Sequence, residues 1–308
     1  PSAGAPAGDV MSQEVRSMPE VGIDESVPLQ RLHGVQYGQA NGRPLLLDAV
    51  YPAAEAETTR PAVLYVNGDG WSRGTREPAD KGWLSPYLAT HGFFAVSSDY
   101  RPSGETPFPA QIHDVKAAIR WLRANARTYS IDPERIGIWG DSAGAHLAAL
   151  AGVTGDRPEL EGESGSPGYS SRVQAVVWCS GVADFLRLRA GMRRDSEVLV
   201  RLFGGPLAER EDLMRVASPV YYVGPTSPPF LLVHGTVDET TPFEQAVVLY
   251  ETLVAAGVEA ELVSLMGRYH NWTGQIEVPG DAWRYWELAP MALPFFVRHL
   301  RPWTREAR

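Results

Sequence analysis

The 308-residue sequence is short of several things, and each shortage excludes something. Its one cysteine, Cys179, rules out an intrachain disulfide and leaves no cysteine cluster for a structural zinc site. Lysine occurs only at Lys81 and Lys116; the other cations are arginines spread without a dense run. With 28 Lys plus Arg against 37 Asp plus Glu, the formal net charge is −9, the wrong sign for a nucleic-acid surface. No apolar run approaches the roughly 18 residues that a membrane helix needs. Neither nucleic acid nor membrane is therefore expected as a partner.

What remains is a globular composition, 44% hydrophobic and 21% charged. Residues 1–25 open at Pro1 on PSAGAPAG and read as a flexible lead, with a lean toward a secreted mature form. Residues 26–308 show no internal repeat and no convincing linker, so one domain is expected. Short apolar runs bounded by turn residues predict strands at 44–51, 62–67, 93–98, 135–139, 173–179, 229–234 and 259–265. Such continuous runs suit a sheet covered on both faces. Ile112, Val115, Ile119, Leu122 and Ala126 recur at helical spacing, and 243–256 and 288–300 read as helices too. The alternation predicts an α/β fold: a mostly parallel, doubly wound sheet of about eight strands flanked by helices. The Gly/Ser/Pro/Glu-rich stretch 155–171 reads as a solvated surface loop.

Gly140-Asp141-Ser142-Ala143-Gly144 directly follows the strand RIGIW and precedes a helical pattern, the strand-turn-helix setting of a nucleophile elbow. Small residues on either side let a strained turn lift the Ser142 hydroxyl above the sheet. A serine hydroxyl is a weak nucleophile, so it needs a base oriented by a carboxylate. In this arrangement the chain order is serine, acid, histidine. Only His270 and His299 follow the strand PFLLVH; His299 falls in a terminal helix, whereas His270 sits in a polar turn and is assigned as base. Asp238, in HGTVD after that strand, is assigned as the acid. Asp184, one strand earlier, is the alternative, and His234 reads as a loop anchor.

An oxyanion needs backbone N–H groups, one from the residue after the serine and the rest from a loop after an early strand. Ala143 supplies the first, and Asn67-Gly68-Asp69-Gly70-Trp71 is that loop. Here the chain resembles the α/β-hydrolase esterases with an H-G-G-G-W loop, most of all the bifunctional feruloyl and acetylxylan esterase-like group. Asp99-Tyr100-Arg101, GETPFPAQIHDVKAA at 104–118, IDPERI at 131–136, His146-Leu147-Ala148-Ala149, PELEG at 158–162 and SPPFLLVHG at 227–235 extend the likeness from about residue 30 to 300. The resemblance implies hydrolysis of carboxylic esters without metal or cofactor, on small-molecule or polysaccharide-linked substrates. It also implies Asp69 and Gly70 as loop donors. Two positions depart from the pattern: Asn67 stands for the loop histidine and Asp69 for the middle glycine. A carboxylate beside an oxyanion must point away or meet a cation, and Arg73 and Arg76 are near in sequence.

Trp71 and Trp272 are expected to line the substrate pocket. Residues 185–219 occupy the place of a cap or pocket wall, and the Asp99-Tyr100-Arg101 set and Glu105 read as loop anchors. A serine peptidase and a non-catalytic binding module are the competing functions.

Overall fold

The computed structural model describes residues 22–53, 59–76, 82–155, 157–270 and 288–301. Eight strands form one sheet in the order β1-β2-β4-β3-β5-β6-β7-β8. These are β1 (Leu29–Ala40), β2 (Arg43–Pro52), β3 (Arg60–Val66), β4 (Phe94–Ser98), β5 (Ile131–Asp141), β6 (Ala175–Cys179), β7 (Phe230–Gly235) and β8 (Ala260–Leu265). β1 and β2 form an antiparallel edge, β2 meets β4 antiparallel, and β3 to β8 run parallel.

The helices are α1 (Leu84–Thr90), α2 (Ala110–Ala124), α3 (Ala143–Val153), α4 (Phe185–Ala190), α5 (Glu197–Phe203), α6 (Glu211–Ala217), α7 (Glu244–Ala255) and α8 (Ala289–Leu300). Alternate residues of each central strand enter separate cores. Leu64, Val66, Ile138, Val176, Trp178 and Leu232 pack beneath α2, α3 and α7. Val63, Tyr65, Trp139, Val177, Cys179 and Val233 pack against α1 and α8. This period of two explains why β3, β6 and β7 are buried throughout and almost wholly apolar, Arg60 and His234 excepted: both faces of the sheet are covered. Removing a large side chain such as Trp139 or Trp178 would cost about 3–5 kcal/mol.

The edge strand β1 escaped the sequence reading. Half of LQRLHGVQYGQA is exposed and only Tyr37 is buried, and shifts in its pairing between Leu32 and Val35 and between Gln36 and Gly38 interrupt the alternation that marks a strand. The described part of the 155–171 stretch lies at the surface, with only Leu160 and Ser171 buried, but it is pinned by side chains of α2. Lys116, fully buried on α2, donates to the Thr154 carbonyl at 2.5 Å and pairs with Glu161 at 2.8 Å. Arg120 binds the Glu161 carboxylate at 2.6 Å and the Ser164 carbonyl at 2.6 Å, and Arg123 reaches the Ser170 carbonyl at 2.8 Å. Ser164 joins the backbone of Gln39 on β1. A polar stretch is thus held in place by cations that the apolar stripe of α2 had hidden.

Candidate active site

The parallel strands end along one edge of the sheet, where an open α/β sheet gathers its functional groups. Ser142 stands between β5 and α3 at φ 51°, ψ −119°, and its N–H donates to the Cys179 carbonyl at 2.8 Å. The glycines flanking the elbow leave no room for a side chain. A Cβ at Gly140 would run into the backbone of Gly144, and one at Gly144 into the Val66 carbonyl oxygen. Gly-x-Ser-x-Gly is thus imposed by backbone crowding.

Asp238 follows β7, His270 follows β8, and the fold brings both to Ser142. His270 Nε2 lies 2.9 Å from Ser142 Oγ, and His270 Nδ1 lies 2.7 Å from Asp238 Oδ2. The other carboxylate oxygen, Oδ1, accepts from the N–H groups of Thr240 at 2.9 Å and Thr241 at 2.8 Å. The Nε2–H of buried His234 is shared between Asp238 Oδ2, at 3.1 Å, and the Thr241 carbonyl, at 2.8 Å. Burial alone would raise the Asp238 pKa, but the hydrogen bonds from His234 and His270, the charge of His270 and the Thr241 amide outweigh it and hold the group at about 2. At neutral pH the carboxylate is therefore an acceptor only. It fixes the proton on His270 Nδ1 and leaves Nε2 as a lone pair facing the serine hydroxyl.

The loop after β3 turns sharply through Asp69 (φ 62°), Gly70 (φ 56°) and Trp71 (φ 56°), three left-handed residues in succession. Asp tolerates this region, but a bulky residue such as Trp rarely enters it. Its carbonyls are held from several sides. Ser72 bonds the Asp69 carbonyl through N–H at 2.9 Å and hydroxyl at 2.5 Å. The Ser103 N–H bonds the Trp71 carbonyl at 2.7 Å. The Tyr100 hydroxyl reaches the carbonyls of Asn67 at 3.0 Å and Gly68 at 2.8 Å. Burial, and then the carboxylates of Asp141 and Asp69, push the Tyr100 pKa far up, so it stays a donor. The Gly68 backbone abuts the serine, since a Cβ there would lie 3.0 Å from the Ser142 Cβ. Ala143 is the first residue of α3, so its N–H has no partner within the helix.

The Asp69 carboxylate accepts from Asn67 Nδ2 at 3.1 Å and lies 3.6 Å from Arg73 Nε. The two departures from the H-G-G-G-W pattern thus bond to each other. Arg76 is engaged elsewhere, with Asp48 and Asp99. Asp184 does not approach His270; it caps α4, accepting from the N–H groups of Leu186 and Arg187. His299, on α8, lies with its Nε2 3.4 Å from a Glu259 carboxylate oxygen.

Trp71 is not the open stacking ring expected of it. Only 4% exposed, it lies among His146 and Phe185, and its N–H is spent on His146 Nδ1 at 3.1 Å. The left-handed backbone turns this side chain inward. Trp272 lies outside the described residues. Two contacts had no sequence assignment: His146 with Trp71, and His234 with Asp238. The available signal was spacing, His146 falling four residues after Ser142 and His234 four before Asp238.

Among the described residues no group of three or more His, Cys, Asp or Glu could hold a metal ion, and no helix is long and apolar enough to cross a membrane.

Residues 47–253 match the model of the BD-FAE family. The probable carboxylic ester hydrolase LipM of Mycobacterium tuberculosis is 32% identical over 216 residues, which cover 68% of this chain and 48% of LipM. The chain spans about half the length of the mycobacterial relatives it matches. Among solved structures, the bifunctional GH43-CE protein of Bacteroides eggerthii aligns with a TM-score of 0.75 and 32% identity, over 87% of this chain and 38% of that one. Thermogutta terrifontis esterase 2, phosphorylated by paraoxon, aligns with a TM-score of 0.70 and 27% identity, over 87% of this chain and 95% of that one.

Proposed function

The chain belongs to the BD-FAE family, and we propose that it is a serine carboxylic-ester hydrolase acting through an acyl-enzyme. The observation that carries this reading is the relay in which His270 lies 2.9 Å from the Ser142 hydroxyl and 2.7 Å from Asp238. His270 Nε2 takes the proton as Ser142 Oγ attacks the ester carbonyl, and Asp238 steadies the imidazolium that forms. The N–H groups of Ala143, Asp69 and Gly70 receive the oxyanion. Collapse of the tetrahedral intermediate expels the alcohol with the proton from His270. Water then repeats the sequence on the acyl-enzyme and releases the acid. A neighbour of the same fold, the Thermogutta esterase, carries phosphorus from paraoxon, and LipM is named as an ester hydrolase; both support the class.

The substrates we propose are esters of short or aromatic acids, including acetyl and feruloyl groups on plant polysaccharides. The Bacteroides neighbour, which joins GH43 to a CE unit, supports a carbohydrate-linked alcohol. A net charge of −9 favours neutral esters over anionic ones. The 185–219 segment serves as the pocket wall: Val198 on α5, 40% exposed, comes within 3.3 Å of where a Gly70 Cβ would stand.

Fluorophosphonate labelling should modify the wild-type protein at Ser142. Ser142→Ala should abolish labelling and lower kcat on small activated esters by ~10⁴-fold or more. Labelling elsewhere, or substantial hydrolysis by the variant, would overturn the assignment. Comparing kcat/KM across acetyl, butyryl and feruloyl esters decides the acyl class.

A further inference from the structure

One buried imidazole joins three parts of the molecule. His146 sits on α3 one turn beyond Ser142, fully enclosed, so it touches no substrate. Its Nδ1 accepts from Trp71 Nε1 at 3.1 Å, and its Nε2 lies 2.7 Å from the carbonyl of Ala217 at the end of α6. An indole N–H can only donate and a carbonyl can only accept, so the ring must be neutral with its proton on Nε2. Burial supports that state by lowering its pKa to about 4. The ring is further fixed edge-on against Trp71 at 5.4 Å and Phe185 at 4.9 Å.

Trp71 closes the left-handed run, and its φ of 56° is the least natural of the three for its side chain. Such a backbone persists only where its surroundings over-determine it. The Ser103 N–H fixes its carbonyl, and His146 fixes its ring. We propose that His146 is a positioning residue: through Trp71 it holds the 67–71 loop in the turn that aims its amides at the oxyanion. Through Ala217 it ties that setting to the 185–219 segment. The inference rests on the esterase reading and deepens it.

Trp71→Phe removes the donor while keeping an aromatic ring. His146→Leu removes acceptor and donor, and His146→Gln keeps one of each. For folded variants, kcat and KM on a small activated ester and affinity for a boronic acid, a tetrahedral analogue, separate positioning from mere support. Trp71→Phe and His146→Leu should each lower kcat ~10–100-fold with KM little changed, and analogue affinity should fall in step. His146→Gln should recover most of the loss, and the Trp71→Phe/His146→Leu pair should be no worse than His146→Leu alone. Should His146→Leu fail to fold, Trp71→Phe and His146→Gln carry the test. Folded Trp71→Phe protein with kcat and analogue affinity within about twofold of wild type would overturn the inference while leaving the esterase reading intact. A wild-type protein that neither labels nor hydrolyses esters would overturn both.

Discussion

The elbow at Ser142 and the loop at Asp69–Trp71 lie side by side, and both hold non-glycine residues at positive φ, yet they are held by opposite means. At Ser142 itself the elbow's turn is secured by backbone contacts: the Ser142 N–H on the Cys179 carbonyl, the His146 N–H on the Ser142 carbonyl, and glycines that admit no Cβ. The loop is secured largely by side chains: Tyr100 on its carbonyls and His146 on Trp71 come from distant positions, and Asn67 on Asp69 and Ser72 on the Asp69 carbonyl from within or beside it. Strain of one kind is thus encoded locally in the first case and across the chain in the second. A five-residue word suffices to recognise the elbow, whereas the loop depends on partners that no short motif contains.

Substitutions can break this contrast or sharpen it. The largest effect should come from the elbow: Gly144→Ala drives a Cβ into the Val66 carbonyl, which cannot move without displacing β3. Hydrolysis should fall to background and stability by about 3 kcal/mol or more, read by denaturant unfolding. A tolerated alanine would show that the elbow is not held by backbone crowding.

Acid should act on the loop's support and spare the elbow's. The pKa of His146 is about 4 when folded against 6.5 ordinarily. As pH falls from 6.5 towards 4, only the unfolded chain takes up this proton, so stability that is full above 6.5 declines by about 2–3 kcal/mol across that window. His146→Gln should flatten the decline, which melting curves at pH 7 and pH 4.5 would reveal. Asp238 adds its own loss at lower pH, as its carboxylate protonates between 3.8 and about 2.

Next, Tyr100→Phe removes one hydroxyl that serves two loop carbonyls. A cost of about 1–2 kcal/mol in stability and a fall in kcat of ~10-fold are expected, with little change in KM. The smallest effect belongs to Asn67→Ala, which releases the half-exposed Asp69 carboxylate from one bond. A loss of about twofold to fivefold in kcat, offset by Asp69→Gly in the double variant, would show that the two residues compensate for each other.

The central strands were legible because they are buried on both faces and therefore almost continuously apolar. β1 was not, since an exposed, bulged edge strand has no periodic signature. Ser142, Asp238 and His270 could be selected from the elbow motif, the chain order and the loops that follow the late strands, and the fold brings them within hydrogen-bond reach. What escaped was polar and buried. His146 and His234 were assigned no catalytic partner, because a histidine's neighbours are set by tertiary packing rather than by sequence distance. Trp71 was misplaced for a related reason: aromatic composition does not show which way a left-handed backbone turns a ring.

The segment pinned by Lys116, Arg120 and Arg123 carries one more consequence. Rich in glycine, serine and proline, it has the composition of a protease-sensitive connector. A protease, however, must draw several residues into an extended strand within its cleft. Here the carbonyls of Thr154, Glu161, Ser164 and Ser170 are already occupied by α2 cations, so cleavage would require several of those bonds to open together. A stretch that looks like a nicking site is thereby made one of the guarded parts of the surface.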